Sequence, residues 1–162
     1  MANEHLSVRE SVIDVGEVAP DFTLTDQSRA EWKLSEVVKR GDVVLCFYPM
    51  DFSPVCSTEM KCVTDDFEKY AKKGAQVVGV SCDSFFVHKA WAESLGLKQT
   101  LLADMHRAVC RAYGFYFAPL NVASRGTVVI GKSADGVGRV KWVQARELKE
   151  AMKGEEVTAA IS

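Results

Sequence analysis

Two periods organise the hydrophobic positions of this chain. Residues 42–48, DVVLCFY, are apolar on both alternating faces, and 75–81, AQVVGVS, repeat that character. Such runs suit central strands covered from both sides. Between them the period lengthens. Met60, Val63, Phe67 and Tyr70 recur at steps of three and four, which predicts a helix from Pro54 to Lys73 with Gly74 as its stop. Upstream, PDFTLTDQSRAEWKL alternates about a polar turn at Asp26 to Arg29 and predicts a hairpin, after which Ser35 is a candidate cap for a short helix ending at Gly41. Downstream, a helix is expected over Phe85 to Leu95 with Gly96 ending it, then a short strand in KQTLLAD and a short helix in MHRAVCRAYG closed by Gly114. A second hairpin turns at Asp135-Gly136, and RELKEAMKG reads as the last helix.

Strands separated by helices imply parallel pairing, while the late hairpin forces an antiparallel pair. The economical solution is an α/β fold of three layers, α/β/α, with a mixed central sheet and an amino-terminal β-hairpin extension. That arrangement is thioredoxin-like. No repeat or linker interrupts the pattern, so residues 1–162 are expected to form a single domain. The composition is that of an ordinary globular chain, 48% hydrophobic and 26% charged. A net charge of −2 gives no electrostatic reason to expect nucleic acid or an anionic membrane as partner. No apolar run approaches the roughly 20 residues of a membrane span. The polar start, MANEHLSVRESVIDVGE, does not resemble a secretory signal, and the expected location is cytoplasmic.

Chemistry narrows the picture further. The five cysteines are Cys46, Cys56, Cys62, Cys82 and Cys110. Their odd number and their spacing, with no C-x-x-C, suit neither a disulfide framework nor a zinc site. His5, His88 and His106 are scattered, and His88 and His106 are expected only to face solvent from their helices. A working cysteine would therefore act as a thiol.

The stretch PMDFSPVC, Pro49 to Cys56, follows the first buried strand directly. Pro49 cannot donate to a ladder and ends the strand. Ser53 suits the N-cap and Pro54 the first helical position, so Cys56 falls at N3. There, free amide N–H groups and the helix dipole favour an anion, and the thiolate is the nucleophilic form of cysteine. The carboxyl end of a strand in an α/β sheet is also the usual place for a site.

FYPMDFSPVCSTEM resembles the active-site segment of peroxiredoxins, whose signature P-x-x-x-[ST]-x-x-C is matched by Pro49, Ser53 and Cys56. GEVAPDFTL, VVGVSCDSFFVHKAW and ASRGTVVIG resemble further segments of that family in the same order. The resemblance implies a thiol-dependent peroxidase acting on hydrogen peroxide and organic hydroperoxides, without metal, haem or flavin. Cys56 would be the peroxidatic thiolate that becomes a sulfenic acid. Arg125 would hold it ionised and donate to the peroxide, and Ser53 would bond both thiolate and peroxide. Pro49 would shield the sulfur, and the Val55 and Cys56 amides would stabilise developing charge. Glu59, three residues beyond Cys56, either orients an arginine or complements the helix dipole. Arg146 stands where some members carry a second arginine, but the start of a helix at the surface accounts for it here. Trp91, Tyr113, Cys46 and Cys110 are assigned to packing.

How the oxidised cysteine is reset is less legible. A related subgroup resolves with a cysteine five positions on, whereas Cys62 is six positions on, about 9 Å along an intact helix. The reading favoured is a one-cysteine cycle with an external reductant: thioredoxin-like, glutaredoxin-like or a small thiol. Resolution by Cys62 or Cys82, or a peroxide sensor or redox-switched binding module without turnover, are the alternatives. The family often pairs through loops around the site, so a homodimer is expected, with GFYFAPLN, residues 114–121, as a candidate apolar patch.

Overall fold

The computed structural model describes residues 2–161. The first hairpin forms as expected, with β1 (Thr23–Asp26) antiparallel to β2 (Glu31–Lys33). A four-residue helix follows, α1 (Leu34–Val37), but its N-cap is Lys33 and Ser35 lies inside it. The Ser35 amide instead donates to the Asp21 carboxylate at 2.9 Å. The buried run is β3 (Val43–Phe47), every residue of it inaccessible.

The long helix expected after it is two helices, α2 (Pro54–Asp65) and α3 (Phe67–Lys72). Asp66 leaves helical geometry between them, with φ −91° and ψ 4°. The three-to-four spacing survives the break, so the apolar stripe alone does not reveal it. Then come β4 (Gln76–Ser81), α4 (Phe85–Leu95), β5 (Thr100–Ala103) and α5 (Ala108–Tyr113). Gly96 and Gly114 adopt the left-handed conformation that ends α4 and α5.

The segment after Gly114 forms a small ribbon, β6 (Tyr116–Phe117) with β7 (Val122–Ala123), around a single 3-10 turn. The second hairpin is β8 (Arg125–Ile130) with β9 (Val140–Arg146). The helix expected over 146–154 is absent: Arg146 ends β9, and the last helix, α6, spans Gly154–Ala159. The physical reason lies in the backbone of 147–153. The Leu148 carbonyl accepts from Arg125 at 2.9 Å, and the Met152 amide donates to Glu59 at 2.7 Å. Bonds that a helix would make internally are given to buried side chains.

Seven strands form one mixed sheet in the order β2-β1-β5-β4-β3-β8-β9. β3 is parallel to β4, β4 is parallel to β5, and β8 is antiparallel to β3. The sheet separates two apolar cores. Val43, Leu45 and Phe47 point to the core shared with α1 and α5. Val44, Cys46 and Tyr48 point to the core beneath α2, α3, α4 and α6. This is the expected three-layer α/β/α arrangement, and it places the start of α2 at the carboxyl edge of a fully buried strand.

Candidate active site

α2 begins as its residues dictate. Ser53 is the N-cap in extended conformation, its carbonyl accepts from Ser57 N–H at 2.9 Å, and Pro54 occupies the first turn. Cys56 is therefore at N3 and is fully buried in the core under the helix. The Ser53 hydroxyl does not reach the sulfur. It donates to the Met50 carbonyl at 2.9 Å and makes no cap bond, so the loop conformation, rather than the thiol, has claimed it. Pro49 is buried at the end of β3, while Met50 and Phe52 are exposed.

The partner of Cys56 comes from the sheet. In the β3–β8 register Gly126 lies opposite Phe47, which brings Arg125 to the sheet edge opposite Tyr48. A side chain on Gly126 would collide with the ring of Phe115, so the close approach requires glycine. The Arg125 guanidinium is 1% exposed and held on three sides. Nη2 donates to the Cys56 sulfur at 3.0 Å, Nη1 to Glu59 Oε1 at 3.2 Å, and Nε to the Leu148 carbonyl.

Glu59 shares the inner face of α2 with Cys56 and is likewise fully buried. It lies beyond the first turn of α2, so it does not complement that helix end. Its second oxygen accepts from the Met152 amide at 2.7 Å and faces Arg146 Nη2 at 3.4 Å. A buried carboxylate near a sulfur anion would repel it, but here two guanidiniums surround that carboxylate. Arg146 itself is 3% exposed and also donates to Thr127 and Gln144. It is not the surface residue expected from sequence. It is the Cα partner of Arg125 across β8 and β9. Extending the hairpin register from the Asp135-Gly136 turn to position 146 would have placed the two arginines side by side.

A second buried network fixes the loop between β3 and α2. Asp51 accepts from the Tyr48 hydroxyl at 2.7 Å, lies 2.6 Å from His88 Nδ1, and donates its amide to Asp83 at 3.0 Å. His88 is fully buried rather than at the surface, because the inner face of α4 packs on this loop. Its Nε2 faces the Leu102 carbonyl at 3.1 Å and must carry hydrogen. A proton therefore lies between Nδ1 and Asp51. Burial pushes the Asp51 carboxyl above its ordinary range, and the bond from His88 opposes that shift. The network sits directly before Phe52, which takes φ +66°, an uncommon conformation for an aromatic residue. Its ring leans on Trp91, with centroids 6.3 Å apart. Anchoring Asp51 on one side and capping α2 on the other holds this turn in place.

No disulfide joins Cys56 to the remaining thiols. Cys62 is on the same unbroken helix and exposed. Cys46 is buried beneath Met152, and burial followed by the nearby Glu59 charge raises its pKa to about 12. Cys82 packs on the opposite core, with its sulfur 4.0 Å from that of Cys110.

The AhpC/TSA family model matches residues 15–137, which include Pro49, Ser53, Cys56 and Arg125. The chain belongs to this family. Within the AhpC/TSA family it is 42% identical to peroxiredoxin-2 of Mus musculus, over 83% of this chain and 70% of that protein. It is 36% identical to the chloroplastic 2-Cys peroxiredoxin BAS1 of Hordeum vulgare, over 73% of this chain and 61% of that protein. The chain thus spans less than two thirds of the length of the chloroplastic relatives it matches. Among solved structures, peroxidoxin BcpB from Mycobacterium tuberculosis superposes with a TM-score of 0.80 at 27% identity, covering 91% of this chain and 96% of that one. The thioredoxin-like fold of these AhpC/TSA proteins is the one described above.

Proposed function

We propose that this peroxiredoxin is a thiol-dependent peroxidase in which Cys56 reduces hydrogen peroxide and organic hydroperoxides. One observation carries the proposal: the Arg125 guanidinium donates to the Cys56 sulfur at 3.0 Å while Glu59 fixes its other arm. A buried cation on a sulfur at a helix start favours the thiolate and sets a charged N–H donor beside the sulfur. In the reaction, the Cys56 thiolate displaces alkoxide or hydroxide from the peroxide oxygen, and the O–O bond breaks. The leaving oxygen, stabilised by Arg125 and the first-turn amides, takes a proton and departs as alcohol or water. Cys56 is left as a sulfenic acid. A reductant thiol then attacks that sulfur, releasing water and forming a mixed disulfide, and a second thiol restores Cys56.

The reset is proposed to be one-cysteine, with a thioredoxin-like, glutaredoxin-like or small-thiol reductant. Two features support this. Six helical residues turn Cys62 roughly 120° away from the Cys56 face, and Cys82 lies across the sheet. A homodimer is part of the reading, supported by the exposed Ala118, Pro119 and Leu120 of the loop named above. So is a cytoplasmic location, supported by five cysteines of odd number and unframed spacing. The test is peroxide consumption with a thiol reductant in excess. Turnover by the parent and none by Cys56→Ser, with unchanged circular dichroism, is expected. Retained turnover in the variant overturns the assignment.

A further inference from the structure

Cys82 and Cys110 are 28 positions apart in the chain, yet their sulfurs lie 4.0 Å apart on the face of the sheet away from Cys56. Cys82 follows the last residue of β4 and is partly exposed, whereas Cys110 in α5 is fully buried. Asp104, just past β5, completes the group. Its carboxylate accepts from the amides of Val109 and Cys110 at 3.2 and 2.8 Å. One of its oxygens lies within 4.8 Å of both sulfurs. The chain therefore brings a partly exposed cysteine, a fully buried one and a proton acceptor to one point. The contact with Cys110 lowers the Cys82 pKa, against burial, while the contact with Cys82 and then burial raise the Cys110 pKa. The bias is toward a thiolate on Cys82, the partly exposed member of the pair.

We propose that Cys82 and Cys110 form a second redox-active dithiol, which closes to an intramolecular disulfide under hydroperoxide. The Cys82 thiolate attacks the peroxide, the O–O bond breaks, and alcohol or water leaves with one proton, giving a sulfenic acid on Cys82. The Cys110 sulfur then attacks Cys82 and loses its proton through Asp104 to the departing hydroxide, which leaves as water. Two electrons pass from the sulfur pair to the peroxide. The sulfurs must approach by about 2 Å to reach bonding distance. Side-chain rotation at a strand end and in a one-and-a-half-turn helix accommodates that movement, whereas joining Cys56 to Cys62 requires α2 to unwind. The finished bond ties α5 to the end of β4. Two-electron storage here does not depend on Cys56 being the peroxidatic residue.

The experiment uses the full chain carrying Cys56→Ser, treated with hydrogen peroxide until the exposed Cys62 is oxidised, then alkylated and digested with trypsin. The expected product joins peptide 74–89 to peptide 108–111, two hydrogens lighter than their sum, and separates with dithiothreitol. In a further Cys110→Ser variant the linked product is absent, and Cys82 is trapped by dimedone instead. Because Cys110 is buried, Cys82→Ser provides a second arm, in which Cys110 should remain alkylatable after denaturation. Recovery of both cysteines as free thiols, of Cys82 as sulfinic acid beside free Cys110, or of either paired with another cysteine, overturns the proposal. Since Cys56 is absent throughout, these outcomes are separate from failure of the peroxidase assignment.

Discussion

Arg125→Ala removes the one side chain that, among the described residues, bonds the Cys56 sulfur, and the structure sets the scale of the loss. A hydrogen bond with one charged partner contributes about 1.5–3 kcal/mol. At ~1.4 kcal/mol per factor of ten, that corresponds to a peroxide reaction slower by roughly 10- to 150-fold. The substitution also strips Glu59 of one guanidinium, leaving Arg146 at 3.4 Å and the Met152 amide. Breaking a buried ion pair at one partner costs ~3–5 kcal/mol of stability, so the folded fraction must be measured beside the rate. The double variant Arg125→Ala with Glu59→Gln separates the two effects. Removing the stranded carboxylate should recover much of the stability but not the rate, since no cation faces the sulfur. Quench-flow with mass-spectrometric counting of oxidised Cys56 provides the rate, and urea unfolding the stability. A rate for Arg125→Ala within threefold of the parent, or one fully restored in the double variant, would refute the reasoning.

Three further outcomes are expected. Cys62→Ser should turn over with a small-thiol reductant as fast as the parent, and a near-quantitative Cys56–Cys62 disulfide in the parent after one equivalent of peroxide would contradict this. Asp51→Ala leaves the Tyr48 hydroxyl and one His88 nitrogen without their partner, at ~1–3 kcal/mol each. It should lower stability by about 2–5 kcal/mol and slow Cys56 oxidation, and a urea midpoint equal to that of the parent would show that the loop is held otherwise. Alkylation rates measured against pH should rise for Cys82 below the ordinary cysteine range, because its pKa is lowered and the thiolate appears earlier as pH increases. Cys46, with its pKa raised to about 12, should stay unlabelled at pH 8 until the protein unfolds.

Much of this architecture is legible in local pattern. Val43 to Phe47 cannot be anything but a central strand once both alternating faces are apolar, and Gly96 and Gly114 end their helices because left-handed geometry suits them. Ser53, Pro54 and Cys56 specify the start of α2 within four residues. The failures share a physical cause. RELKEAMKG has helical composition, but its backbone bonds Arg125 and Glu59, and no local rule registers a long-range side chain competing for a carbonyl or an amide. His88 and Arg146 look solvated because polar residues usually are, and their burial depends on partners 37 and 87 positions away. Asp51 lies inside the same motif as Cys56. A buried acid two residues before an N-cap serine is visible as a residue, but its role emerges only when α4 covers the loop.

The most direct test of the central claim is to add one equivalent of hydrogen peroxide to the fully reduced chain in the presence of dimedone, then map the adduct. The account predicts dimedone on Cys56 in nearly every chain, with Cys46, Cys62, Cys82 and Cys110 still free. A first equivalent of peroxide consumed at any other cysteine, with Cys56 recovered as a thiol, would contradict it.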